Sequence, residues 1–142
     1  MNEYKFVDIS IGMKASFSRT MTKAMEDSFR IISGDENLLH QNDNFAKEIS
    51  KGKFREHIVF GMLTASLYST MAGMYLPGKY SLIHSVDELS FINPVYIGDR
   101  LIVEGEVTDK DENLGLIRLK VRIMNQNNKL VSRAKMKVLV TK

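Results

Sequence analysis

The stretch IVFGMLTASLYSTMAGM, residues 58–74, decides the fold, because it is long enough for a helix and carries no charged side chain. A helix that is apolar on every face is typically buried. At 17 residues the stretch is shorter than a comfortable membrane span. We therefore predict a central helix packed closely against a sheet, as its small residues allow: Gly61, Ala65, Ser66, Ser69, Ala72 and Gly73.

C-terminal to this helix the hydrophobic period changes to two, which is typical of strands. The pattern predicts four strands over residues 80–92, 100–109, 114–125 and 129–140, joined by short turns. A further short strand is possible at residues 14–19. Successive strands with short turns favour an antiparallel sheet with one solvated face.

Two helices are predicted before the central one. The first is capped by Thr20 or Thr22 and runs to about Ile32, and the second is the stretch NFAKEIS, capped by Asn42 or Asp43. Helices followed by an antiparallel sheet indicate the α+β class. At 142 residues, with no repeat and no linker, the chain is expected to form one domain over residues 1–142.

Composition excludes several classes of protein. The absence of cysteine excludes disulfides, thiolate metal sites and cysteine nucleophiles. The acidic start MNEYKFVDIS shows no signal-peptide pattern, and we expect a soluble, cytoplasmic protein without membrane contact. The net charge of +3 is mild, and no aromatic residues interleave with the basic strands, so we expect no nucleic-acid partner.

Charge is divided sharply along the last three strands. Residues 85–113 hold eight acids and two bases, whereas residues 114–142 hold eight bases and no acid. A hairpin loop at residues 109–113 predicts Glu106 opposite Arg118 and Glu104 opposite Lys120. A turn at residues 127–128 predicts Arg122 opposite Arg133 and Lys120 opposite Lys135. This basic ridge is interpreted as a solvated face, or as a contact for an acidic carrier protein or a cofactor phosphate.

The most ionisable cluster lies at the bend SGDENLLH, residues 33–40, between the first two helices. Asp35, Asn37 and His40 can form a simple turn and cap, or they can aim a carboxylate, an amide and an imidazole into one volume. A metal site of Asp35, His40 and Asp43 is disfavoured, since no second histidine lies at ligand spacing. A serine triad is disfavoured because no G-x-S-x-G motif occurs.

Four stretches carry a resemblance to a known family: FRIISGDENLLHQNDNFA, GMLTASLYS, YLPGKYSLI and FINPVYIGDRL. Over residues 10–140 the chain resembles the MaoC-like hot-dog family of (R)-specific enoyl-CoA hydratases and 3-hydroxyacyl-thioester dehydratases. The family pattern S-G-D-x-N-P-x-H is matched by Ser33, Gly34, Asp35, Asn37 and His40. The resemblance implies a hot-dog fold, in which a five-stranded antiparallel sheet wraps around a long central helix.

The resemblance also implies an activity and its residues. Asp35 and His40 would be the catalytic pair that holds one water, oriented with help from Asn37. Gly61 would offer its backbone amide to the thioester carbonyl, and Ser69 would face the acyl pocket. The implied substrates are acyl-CoA or acyl carrier protein thioesters of fatty acid metabolism. No cofactor is implied, and the implied assembly is a homodimer.

Two departures from the family pattern leave alternatives open. Leu38 replaces a common proline, and Phe60 replaces a histidine before Gly61; His57 nearby is expected to be an exposed turn residue rather than a substitute. A non-catalytic acyl-thioester binder is one alternative, in which four residues line a pocket or simply fill the core: Met62, Leu63, Met71 and Met74. A hot-dog thioesterase is disfavoured, because residues 57–86 contain no Asp or Glu.

Overall fold

A computed structural model describes all residues 1–142. The chain forms three α-helices and five strands, with short 3-10 turns at Phe6–Asp8 and Leu38–His40. No helix has the length and apolar character needed to cross a membrane. In chain order the elements are β1 (Lys14–Thr20), α1 (Lys23–Ser33), α2 (Asp43–Ile49), α3 (Gly61–Thr70), β2 (Ser81–Phe91), β3 (Arg100–Asp111), β4 (Leu116–Met124) and β5 (Leu130–Val140).

The five strands form a single antiparallel sheet in the order β1-β3-β4-β5-β2. The predicted sheet around a central helix is therefore confirmed, including the short first strand. Of the alternative caps, Thr22 accepts a hydrogen bond from the Met25 N–H at the start of α1, and Asn42 accepts one from the Phe45 N–H at the start of α2. Each cap replaces a bond that the first helical turn cannot form within the helix.

The core lies between the inner face of the sheet and α3 with the π turn that continues it, Met71–Tyr75. Met71 is fully buried, and it packs where β3 carries Gly105 instead of a larger side chain. A Cβ atom built on Gly105 would lie 2.7 Å from Met71 Sδ. The missing side chain thus sets how closely the helix approaches the sheet.

The prediction that α3 is buried on every face is wrong. The α-helix begins at Gly61 rather than at residue 58, and one face is open, since Met62 is 58% exposed and Ser66 and Ser69 are exposed. Met71 belongs to the core, but Met62 and Met74 do not. The charge-free sequence of α3 therefore covers two faces of the helix: one packs on the sheet, and the other is available for contact with another surface.

One of the two predicted strand registers is confirmed. Arg122 lies opposite Arg133 and Lys120 opposite Lys135, because a bulge at Ile123–Met124 absorbs the extra residue of the turn. The other register is wrong. Glu104 lies opposite Arg122, and Glu106 opposite Lys120, because β3 runs on to Asp111 and the turn falls at residues 112–115 rather than 109–113. The bulge after Val107 then shifts the pairing by one residue, back toward the predicted register.

The close approach at Gly105 can be tested by adding one methyl group. Gly105→Ala should lower the free energy of unfolding by about 1–3 kcal/mol, because the added Cβ would lie 2.7 Å from Sδ and 3.1 Å from Cγ of the fully buried Met71, whose side chain must shift. Urea denaturation followed by circular dichroism measures the change. The matched control is Gly73→Ala, where the added Cβ meets nothing within 4 Å and stability should not fall. Equal stability of both variants would contradict the packing described.

Candidate active site

The bend after α1 is shaped by its own polar side chains. Gly34 ends the helix with a φ of 69°, a conformation in which a residue with a Cβ is strained. Asp35 Oδ1 then accepts a hydrogen bond from the Asn37 N–H at 3.0 Å, and Asn37 Oδ1 accepts one from the Leu39 N–H at 2.9 Å. These two local bonds hold the turn that the family often fixes with proline at the position of Leu38.

His40 is held in one orientation by a backbone carbonyl. Its Nδ1 lies 2.8 Å from the carbonyl oxygen of Ile58. A carbonyl oxygen can only accept, so Nδ1 carries the proton and Nε2 of the neutral ring carries a lone pair. The imidazole also packs on the Phe60 ring, with centroids 4.2 Å apart. Phe60, in place of the family's histidine, is therefore a buried support for His40.

The start of α3 offers an unused donor beside His40. Phe60 caps the helix without a side-chain hydrogen bond. The Gly61 N–H donates to no group of the protein, as expected for the first residue of a helix. The helix dipole adds partial positive charge at this end. An oxygen that gains negative charge would therefore be stabilised at the Gly61 N–H.

Residues 58–60 bring His40 next to the Gly61 end of α3. The side chains of the other predicted site residues form no hydrogen bond with His40 or Gly61. Asp35 is exposed on the same bend and is neither hydrogen-bonded nor ion-paired to His40. The Asn37 side-chain oxygen accepts a hydrogen bond from the Leu39 N–H, so it is bonded within the turn. Ser69 is exposed on the open face of α3, further along the helix from Gly61.

Two cavities flank α3. A cavity of about 200 Å³ adjoins Gly61 and is walled by apolar side chains that include Phe91 and Ile92 at the end of β2, with the hydroxyl of Thr64 buried in the wall without a hydrogen-bond partner. Phe91 lies close to Gly61, since a Cβ on this glycine would be 3.2 Å from its ring. A second cavity of about 420 Å³ lies between α3 and β1, and Leu63 and Met74 line it.

A charged cluster that was not predicted lies around His57, one residue before the Ile58 carbonyl that bonds His40. The expectation that His57 is an exposed turn residue is wrong, because its side chain is only 18% exposed and lies between two carboxylates. Its Nδ1 is 2.7 Å from Asp43 Oδ1, and its Nε2 is 3.1 Å from Glu26 Oε1. Asp43 therefore pairs with His57, not with the metal set considered with Asp35 and His40. The available signal was Glu26 itself, an acid on the buried face of α1.

The cluster shifts the pKa values of its members. Burial alone would lower the pKa of His57, but hydrogen bonding to Asp43 and the charges of Glu26 and Asp43 outweigh it, and the pKa of His57 is raised. The pKa of Asp43 is lowered, first by the hydrogen bond from the His57 backbone N–H and then by that from the imidazole. The bridging imidazole is therefore favoured in its charged form.

Known proteins of one family are similar to this chain. The family model described as MaoC like domain matches residues 7–129. An (R)-specific enoyl-CoA hydratase of Aeromonas caviae is 38% identical over 122 residues, which cover 86% of this chain and 88% of that protein. A 3-hydroxybutyryl-CoA dehydratase of Methylorubrum extorquens is 31% identical over 104 residues, 73% of this chain and 64% of that protein.

A solved structure extends the comparison to the fold. The (R)-hydratase from A. caviae involved in PHA biosynthesis superposes with a TM-score of 0.84 at 36% identity, over 93% of this chain and 97% of that chain. The hot-dog arrangement predicted from the sequence is thus confirmed by both topology and likeness.

The raised pKa of His57 predicts a pH-dependent stability. A raised folded-state pKa stabilises the protein fully below the ordinary value of 6.5, and this stabilisation is lost as pH rises through the raised pKa. The lowered pKa of Asp43 acts only at the acid end. Urea unfolding between about pH 6 and pH 9 should therefore show a decline in stability for the wild type that is smaller in His57→Gln.

The control for this experiment is Glu56→Gln, which removes an adjacent acid that does not bond the imidazole. It should keep the decline of the wild type. A decline of equal size in His57→Gln would show that the bridging imidazole is not its source.

Proposed function

The chain belongs to the MaoC-like domain family, and on that premise we propose that it interconverts trans-2-enoyl and (R)-3-hydroxyacyl thioesters by adding or removing water. It would thus be a carbon–oxygen lyase with both hydratase and dehydratase directions. The observation that carries this proposal is the placement of His40 beside Gly61. Its Nδ1–H is bound to the Ile58 carbonyl, while the Gly61 N–H remains unpaired.

His40 and Asp35 supply the proton transfers in this proposal. The Nε2 lone pair of His40 and the free oxygen of the Asp35 carboxylate would hold one water molecule between them, which suits two side chains that do not bond each other directly. In hydration the water oxygen bonds to the β-carbon and gives up a proton to this pair. A proton is then delivered to the α-carbon, and dehydration reverses each step.

Gly61 supplies the electrostatic part. Attack at the β-carbon moves charge onto the thioester oxygen, which becomes an enolate before the α-carbon is protonated. A fixed N–H at the start of a helix stabilises this charge without reorganisation. A side chain at position 61 would meet the Phe91 ring and crowd the approach of the thioester. The adjoining apolar cavity of about 200 Å³ is the nearest space for the acyl chain.

The substrate carrier is proposed as CoA or an acyl carrier protein, by analogy with the relatives' own names. A thioesterase is not favoured, since α3 carries no acid and the buried acid Glu26 is bound to His57. A non-catalytic binder would keep the cavity but would not need His40 locked as one tautomer.

We also propose a homodimer joined through β2. This strand ends the sheet on one side, so its outer backbone groups have no partner strand. Exposed apolar side chains cluster at this edge and at the open face of α3: Met62, Leu82, Val86, Phe91 and Ile92. Because Phe91 and Ile92 also wall the cavity beside Gly61, a partner at this edge would lie next to the site.

The assigned pair can be tested by removing each reacting group. Asp35→Asn and His40→Gln should each lower kcat by about 10²–10⁴-fold, with the fold unchanged, when crotonyl-CoA and longer trans-2-enoyl-CoAs are followed by loss of enoyl absorbance. Glu112→Gln, which removes an exposed acid in the β3–β4 turn, is the control.

Two results would count against the proposal in different ways. Wild-type rates in both variants would remove the assigned pair while leaving the activity in place. No turnover by the wild type with any chain length, together with measurable binding of acyl-CoA, would support the non-catalytic alternative.

The proposed dimer predicts a sedimenting mass of twice the 16.2 kDa chain. Val86→Lys places a charge on the open edge and should shift sedimentation velocity toward the monomer. Arg133→Gln on the outer face of the sheet serves as the control and should leave the mass unchanged. A wild type that sediments as a monomer would contradict the proposed edge contact.

A further inference from the structure

His57 lies at the junction of three segments that surround His40. Its imidazole joins α1 through Glu26 and α2 through Asp43. The His57 backbone N–H adds a third bond, to Asp43 Oδ1 at 3.0 Å. Because both ring nitrogens face carboxylates, the ring donates on both sides only as the imidazolium. The segment before α3 is therefore fixed at His57 by three bonds to two helices.

This attachment comes one residue before the carbonyl that orients His40. Ile58, the next residue, accepts from His40 Nδ1, and its own N–H donates to the Leu39 carbonyl at 3.2 Å. Val59 then continues the same segment with a bond to the Val95 carbonyl. A shift of His57 would move the Ile58 carbonyl, because only one peptide unit separates them.

A second route leads from Glu26 to His40 through Arg30. The Arg30 guanidinium lies 3.9 Å from Glu26 Oε1, donates to the His40 carbonyl at 3.3 Å and lies over the Phe60 ring at 5.8 Å. The His40 imidazole packs on the same Phe60 ring. The buried charged cluster thus supports both the backbone and the ring of His40.

The carboxylates around His57 favour its charged form. Glu26 is 1% exposed, and its Oε2 has no hydrogen-bond partner, so the carboxylate depends on His57 and Arg30 for compensation. The charged residues around the imidazole are Glu26 and Arg30 from α1, Asp43 and Lys47 from α2, and Arg55 and Glu56 from its own segment. The two carboxylates bond the ring nitrogens at 2.7 Å for Asp43 and 3.1 Å for Glu26.

We propose that His57 is a positioning residue, which fixes the Ile58 carbonyl and so holds His40 in the tautomer that leaves Nε2 free. Only the expected change in kcat rests on the proposed function. The effect on the His40 tautomer follows from the hydrogen bonds of His57 and Ile58 alone. The resemblance places no such role at this position, and the two partners Glu26 and Asp43 lie outside the catalytic pair.

The direct test is nitrogen-15 NMR of the His40 ring in the wild type and in His57→Gln. The wild type should show the Nδ1-protonated tautomer, and the variant should show a mixed population, because the Ile58 carbonyl is then held only through the Ile58 and Val59 N–H bonds. With an enoyl-CoA substrate, kcat should fall about tenfold while KM changes by less than about twofold, as expected when geometry at the reacting group is relaxed. Glu56→Gln, an adjacent acid that does not bond the imidazole, is the control.

A second variant covers a folding failure of His57→Gln. Asp43→Asn changes an exposed side chain and removes only the negative charge that faces His57 Nδ1, so the protein should fold. It should show a smaller change than His57→Gln in both the His40 tautomer and kcat. A folded His57→Gln with the wild-type tautomer and wild-type kcat would overturn the proposal. A changed tautomer in a protein that hydrates no enoyl thioester would uphold the positioning role while rejecting the proposed function.

Discussion

The hydrogen bond from His40 Nδ1 to the Ile58 carbonyl is the constraint on which the rest of the candidate site depends. It joins the bend after α1 to the segment that leads into α3, so two stretches distant in sequence meet at one point. It also decides which ring nitrogen is free to accept a proton. Together with the packing of His40 on Phe60, this bond places the imidazole beside the Gly61 end of α3.

The substitution of phenylalanine before Gly61 can be understood from this arrangement. Phe60 is buried, packs on His40 and lies under Arg30, so it stabilises the imidazole by contact rather than by a polar bond. His57, three residues earlier, bonds carboxylates from both preceding helices and so helps to fix the segment that carries Phe60.

Much of the fold was predictable because local rules and tertiary packing agree. The period-two strands, the Asn42 cap and the opposition of Arg122 and Arg133 all follow from short-range patterns. The pairing of Glu104 with Arg122 did not, since charge complementarity alone does not locate the turn, which falls at residues 112–115. The open face of α3 was also missed, because a charge-free sequence does not distinguish contact with a sheet from contact with another chain.

The candidate site was predictable only in part. Asp35 and His40 stand out as an ordered motif, but the role of Phe60 and the buried state of His57 depend on partners 14 to 31 positions away in sequence. A crystal structure of Asp35→Asn with a bound trans-2-enoyl-CoA tests the central claim most directly. The thioester oxygen should lie about 3 Å from the Gly61 nitrogen, with the β-carbon facing His40 Nε2. A thioester seated in the cavity between α3 and β1, remote from Gly61, would contradict the account.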